Sequence, residues 1–167
     1  MAYRGLISFW WLPCLAAVVW LSMLLGMLLS WAVSDHGEVY DYLDPDIKIV
    51  YISHVGAGRM KPLFIAGSLL SCLLLDLAML TERYLRHKRR LLPDATVYEK
   101  LLATLSIFFA IVGSIGLVGL AIFDTKNYHI LHNLLLAHFL GGYMLAAVCA
   151  CWECHLLIKR NSESWHR

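Results

Sequence analysis

Four stretches of this chain run for about twenty residues or more with almost no charge, and nothing else in the sequence restricts the fold as strongly. A helix needs roughly 20 mostly apolar residues to cross about 30 Å of hydrocarbon, and in lipid its backbone must satisfy its own hydrogen bonds. The first stretch runs from Ile7 to Val33, with Pro13 near its start, and the second from Pro62 to Leu80. Pro62 suits the first helical position, where its missing N–H costs nothing. The third runs from Leu101 to Phe123 and the fourth from about Ile130 to Ile158. They predict an all-α integral membrane protein, a single four-helix transmembrane bundle over residues 1–167. Charged residues make up 16% of the chain, against about 25% in a soluble domain, and they collect at the ends of the apolar runs. The first run far exceeds the roughly 7–15 residues of a signal-peptide core, so it reads as a retained span.

Orientation follows from the Lys and Arg near the span ends. Arg4, six residues of the 82–100 loop (Arg83, Arg86, Lys88, Arg89, Arg90 and Lys100), and Lys159, Arg160 and Arg167 lie on one side. The other side has Lys48, Arg59, Lys61 and Lys126, together with Asp35, Glu38, Asp41, Asp44, Asp46 and Asp124. Both termini are therefore expected in the cytoplasm (N-in, C-in), with an acidic outer loop over 34–61 and a basic cytoplasmic loop over 82–100. Arg83, Arg86, Lys88, Arg89 and Arg90 read either as a topology anchor or as a lipid-headgroup site, where each basic residue gains about 1 kcal/mol against anionic lipid.

Helices in lipid associate through close backbone approach at small residues. Gly67 and Ser71 supply such a seam on the second span, and Ser106, Ala110 and Gly113 on the third, with Gly116 and Gly119 beyond. On the fourth span His138, Gly142, Ala146, Ala150 and Cys154 recur at four-residue spacing. Asp76 is the one acid deep inside a span, and His138 lies near mid-bilayer; both are candidate intramembrane polar sites. An intramembrane carboxylate is costly unless protonated or paired, and Arg83 or His155 is the expected partner of Asp76. His138 is expected to bond across the bundle as a neutral imidazole.

The outer ends of the third and fourth spans gather Asp124, His129, His132 and Asn133, with His54 in the preceding loop. His and Asp together can ligate zinc or run acid–base chemistry. Here no His-x-x-x-His or Glu-bearing motif accompanies them, so capping and interfacial hydrogen bonds are the alternative, and no metal is expected. Cys151-Trp152-Glu153-Cys154-His155 matches the pattern for covalent c-type haem. Its place at the cytoplasmic end of the fourth span argues against haem and for packing or palmitoylation, so no cofactor is expected. The five cysteines lie within or at the ends of apolar runs and form no disulfide framework. Nothing points to nucleotide or nucleic-acid binding.

Val50-Tyr51-Ile52-Ser53-His54-Val55-Gly56-Ala57 resembles the PYISD-x-GA signature of the Frag/DRAM/Sfk family, also called the CWH-type N-terminal domain. Val50 replaces the usual Pro and His54 the usual Asp, leaving Tyr51, Ile52, Ser53, Gly56 and Ala57 as signature residues. Lys61-Pro62-Leu63-Phe64-Ile65-Ala66-Gly67, Leu75-Asp76-Leu77 and Glu82-Arg83-Tyr84-Leu85-Arg86-His87 also resemble members of the family, fungal ones in particular. So do Ile122-Phe123-Asp124-Thr125, His132-Asn133, Phe139-x-x-Gly142-Tyr143 and Cys151-Trp152-Glu153. The resemblance favours Asp76, Asp124 and His132 over His129 and His138 as functional positions. It implies a polytopic protein of the plasma membrane, Golgi, ER or lysosome. The implied roles are in phospholipid asymmetry, phosphoinositide-kinase support, autophagy or GPI-anchor lipid remodelling. Such proteins usually carry five or six spans, so with four this chain is expected to be a short variant, a truncated product or half of an assembly. The expected function is non-enzymatic: a plasma-membrane protein that organises lipids or scaffolds a phosphoinositide kinase, with membrane lipids, a kinase complex or another membrane subunit as partners. The alternative is a membrane enzyme of GPI-anchor or phospholipid remodelling, with Asp124 and His132 at the outer leaflet. A transporter using Asp76 and His138 would be expected to show a broken helix or internal repeat, and neither is evident.

Overall fold

The computed structural model describes residues 6–40 and 50–165. The chain builds α1 (Leu6–Ser34), a single turn α2 (Ile52–Val55), α3 (Lys61–His87), α4 (Val97–Ile122) and α5 (His129–Trp165), with no strand among the described residues. Among the described residues four helical stretches are long and apolar enough to cross a membrane: Trp10–Ser34, Lys61–His87, Val97–Ile122 and His129–Ser162. Arg4, Asp41, Asp44, Asp46, Lys48 and Arg167, which entered the charge count, lie outside the described residues.

The helices outrun the apolar stretches. Glu82 to His87, expected in the cytoplasmic loop, continue α3, where Arg86 Nη2 meets Glu82 Oε1 at 2.6 Å one turn away. An i,i+4 pair of this kind supports an exposed helix end. α4 begins ahead of its apolar run because Thr96 and Glu99 form a capping box. Thr96 Oγ1 accepts from Glu99 N at 3.2 Å, while Glu99 Oε2 accepts from Ala95 N at 2.7 Å and Thr96 N at 3.2 Å. The connection that remains is only 88–96.

Each long helix packs on the next, α1 on α3, α3 on α4 and α4 on α5, so the chain runs up and down. Ser34, Lys61, Ile122 and His129 mark one end of the assembly, and His87 and Val97 the other. Large apolar side chains mostly face outward, among them Val18, Leu29, Leu73, Ile115, Leu140 and Met144. The buried positions are largely small or hydroxylic: Ser68, Ala103, Ser106, Ala110 and Ser114. Lipid tails solvate leucine well, so the outward faces lose nothing by exposure, and close packing comes from small residues. An apolar core of Met23, Met27, Val55, Phe64, Cys72, Leu117, Leu120 and Ala121 ties α1 and α2 to α3 and α4.

The α4–α5 seam is the tightest. A Cβ on Gly142 would sit 2.5 Å from Gly113 N, and one on Gly116 would sit 2.5 Å from Phe139 N. Ser106, Ala110 and Gly113 lie on this seam, as expected of the third span. On α5 the middle of the expected line holds and its two ends do not. Phe139, Gly142 and Ala146 face α4, while His138 and Cys154 are exposed.

Candidate functional site

Polar groups collect at three levels. At the Lys61 end, Lys61 Nζ donates to Asp124 Oδ2 at 2.6 Å, joining the start of α3 to the α4–α5 turn. Asp124 Oδ1 accepts from Asn127 N and Nδ2, both at 2.8 Å. Asp124 is buried, which disfavours its charge. The Lys61 and Asn127 bonds outweigh that and hold its carboxyl below the usual carboxylate range. His132, also buried, places Nδ1 2.9 Å from Phe123 O, closing the last turn of α4. His54 is buried beside them. Burial first, then the neighbouring His132 and His129, lower its pKa and keep the ring neutral at pH 7.

The signature residues explain their own geometry. Tyr51 N donates to His54 Nδ1 at 3.2 Å, which starts the single turn of α2. A Cβ on Gly56 would lie 2.6 Å from the Phe64 ring and 3.1 Å from Met27 Cε. Glycine therefore lets α2 lie flat on α1 and α3, with Val55 in the core.

At the middle level, Asp76 Oδ1 accepts from Ser114 Oγ at 3.1 Å. Ser114 Oγ lies 2.9 Å from Tyr143 Oη, and Tyr143 Oη donates to Cys72 Sγ at 3.6 Å. The Asp76 carboxyl thus pairs with the Ser114 hydroxyl of α4, which Tyr143 of α5 meets in turn, and not with Arg83 or His155. A basic side chain near a helix end snorkels toward water, away from Asp76, and Arg83 instead pairs with Asp94. His138 bonds within its own helix, Nδ1 to Leu134 O at 2.8 Å, and not across the bundle.

At the His87 end, Glu153 lies 3.9 Å from both Arg83 Nη1 and Arg86 Nε, and Arg160 Nη1 lies 3.4 Å from the buried Glu99 Oε2. This splits the five basic candidates. Arg83 and Arg86 turn toward acids within the fold, whereas Lys88, Arg89 and Arg90 are exposed. Lys88 Nζ sits 5.6 Å over the Tyr84 ring.

The structure thus buries Asp124, His132 and His54 at one end of the assembly, with His132 and His129 both near enough to His54 to lower its pKa, and leaves His129 and Asn133 exposed. Both oxygens of Asp124 are engaged, an arrangement that clamps helix ends. Among the described residues no three His, Cys, Asp or Glu side chains are grouped so as to hold a metal ion. Sequence reasoning missed the pairing roles of Lys61, Asn127, Ser114 and Tyr143. Lys61 and Asp124 are 63 positions apart, and no local pattern links them. Glu99 was legible as the fourth residue of a Thr-x-x-Glu capping box.

Helices of this length and outward apolarity, tied by polar clusters at both ends, define a multi-pass membrane protein. Residues 8–167 match the family described as the Frag1/DRAM/Sfk1/Cwh43P N-terminal domain, and the chain belongs to that family. It is similar to Protein SFK1 of Saccharomyces cerevisiae, at 28% identity over 181 aligned positions, 92% of this chain and 51% of the yeast protein. The chain thus spans about half the length of this curated relative. No solved structure matches it.

Proposed function

We propose that this chain is a non-enzymatic membrane protein that organises bilayer lipids, or scaffolds a phosphoinositide kinase on them, at the plasma membrane. Both termini and the 88–96 turn face the cytoplasm in this reading. The observation that carries it is the division of the basic residues. The acids near the His87 end are taken up by Arg83, Arg86 and Arg160, while Lys88, Arg89 and Arg90 have no acid partner among the described residues and sit exposed at the end of α3. Unpaired basic residues at the membrane surface attract anionic headgroups, at about 1 kcal/mol each. Membership of a family with an Sfk1 branch agrees with a membrane role of this kind.

The test is rescue of a Saccharomyces cerevisiae strain lacking Protein SFK1, scored by exposure of inner-leaflet phospholipid at the cell surface. Lys88→Ser/Arg89→Ser/Arg90→Ser is expected to lose rescue at matched expression, whereas Asp124→Asn/His132→Ala, if still folded, keeps it. Full rescue by the triple variant would sink the proposal. Failure of the Asp124/His132 variant with normal folding would move the activity to the other end of the bundle.

A further inference from the structure

α1 packs along α3 and α2 and makes no extended contact with α4 or α5, so the α1–α5 side of the assembly is open over the α3–α4 seam. A cavity of about 370 Å³ lies there, between Ala17 and Trp20 of α1, Leu117 of α4, and Phe139 and Tyr143 of α5. A second, of about 670 Å³, shares Pro13 and Leu75 with the first and leads to the His87 end. Its far edge carries Glu82, Arg86, Asn161 and Ser162. The two make one groove, apolar at mid-membrane and polar where it reaches the surface. From Ser71 to Arg86 it follows about 22 Å of α3 at 1.5 Å per residue, against about 15 Å for the hydrocarbon of one leaflet.

We propose that this groove holds one phospholipid of the leaflet at the His87 end. One acyl chain lies along it with its tip between Ala17 and Tyr143, and the headgroup rests among Glu82, Arg86, Asn161 and Ser162. The length and the order of polarity are those of a phospholipid from chain end to headgroup. Glu82 and Arg86, paired with each other at 2.6 Å, form with Asn161 and Ser162 the polar rim against which the head rests. Water does not fill an apolar cavity of this kind, and a lipid tail is the apolar matter available beside it. The inference deepens the lipid-organising reading and rests on it for its purpose: a groove-bound lipid would couple the bundle to the composition of one leaflet.

The test reads lipid and not function. The full chain, extracted in mild detergent, is weighed by native mass spectrometry with Ala17→Trp, which fills the mid-membrane cavity, and Val18→Trp, which points away from it (Val18 is 59% exposed). We expect one retained phospholipid per chain in wild type and Val18→Trp, reduced at least five-fold in Ala17→Trp. A second measurement needs no variant. A phosphatidylcholine with a diazirine at its chain end, photolysed in nanodiscs, is expected to label Trp20, Phe139 and Tyr143 above the lipid-facing Leu25 and Leu140. Equal retention in both variants, uniform labelling, an adventitious detergent adduct only, or a two-chain species lost in Ala17→Trp would each overturn the proposal. A groove without lipid sinks this inference even where the Lys88–Arg90 rescue pattern holds. A lost rescue pattern with the lipid retained sinks only the functional reading.

Discussion

At Asp124 two opposing effects meet in one side chain. The residue is 4% exposed, so its charge is poorly hydrated, yet Lys61 and Asn127 supply three hydrogen bonds to the ionised form. The bonds win, and the folded pKa lies below the unfolded value of about 3.9. A depressed carboxylate pKa adds stability that is fully present above the unfolded value and disappears as pH falls through the folded one. The thermal midpoint in detergent is therefore expected to drop as pH goes below about 5, and part of that acid slope should be missing in Asp124→Asn. At pH 7, Lys61→Met should cost about 2 kcal/mol, the scale of a charged hydrogen bond whose buried partner is left behind. Lys61→Met/Asp124→Leu should recover part of it. An unchanged acid slope in Asp124→Asn would mean that acid unfolds the protein elsewhere. The sequence marks Asp124 as a polar residue at a span end, but not its partner, because the pairing depends on how α3 sits against the α4–α5 turn.

Between elements, the α4–α5 contact is decided by backbone atoms. A Cβ on Gly142 would meet Gly113 N at 2.5 Å, Gly113 Cα at 2.7 Å and Phe109 O at 2.9 Å, none of which can move without parting the helices. One residue away, a Cβ on Gly141 meets nothing within 4 Å. The same substitution at neighbouring sites should therefore have opposite consequences. Gly142→Ala is expected to cost about 1–3 kcal/mol through overpacking, while Gly141→Ala should be neutral or gain up to about 1 kcal/mol from helix propensity. Thermal unfolding of the two variants in one detergent checks this, and equal midpoints would contradict the seam. Glycines and alanines at four-residue spacing announce that α5 packs closely, and Gly142 and Ala146 do so. The same spacing also takes in His138, which faces outward. The reason is geometric: the packed face follows Phe139, Gly142 and Ala146, alternating three and four residues to match 3.6 per turn.

For the whole molecule, the bias of Lys and Arg toward the 82–100 side predicts that both termini share the cytoplasm with that turn. Glycosylation mapping checks it. A sequon placed in the 36–40 segment is expected to be glycosylated in a secretory membrane, and one placed in 88–95 to remain bare; the reverse pattern would invert the topology. Helix number and helical class were legible because hydrocarbon thickness imposes a length and an apolarity that each segment must meet alone. The ends were less so. Glu82–His87 and Val97–Lys100 are polar enough to read as loop, but the Glu82–Arg86 pair and the Thr96–Glu99 capping box extend the helices into them.

Taken by itself, the sequence determines that this chain crosses a bilayer as four helices, and its ordered motifs place it in the Frag1/DRAM/Sfk1/Cwh43P family. Those are properties of segments, settled by local composition and order. Only the tertiary structure decides that Asp76 pairs with Ser114, that Lys61 holds Asp124, that Arg83 and Arg86 are spent within the fold while Lys88, Arg89 and Arg90 are not, and that a groove opens between α1 and α5. Each of these depends on the rotation and register of one helix against another. That register is set where glycine lets two backbones touch, and a hydrogen bond only a few ångströms long responds to it in a way that no spacing along one helix records.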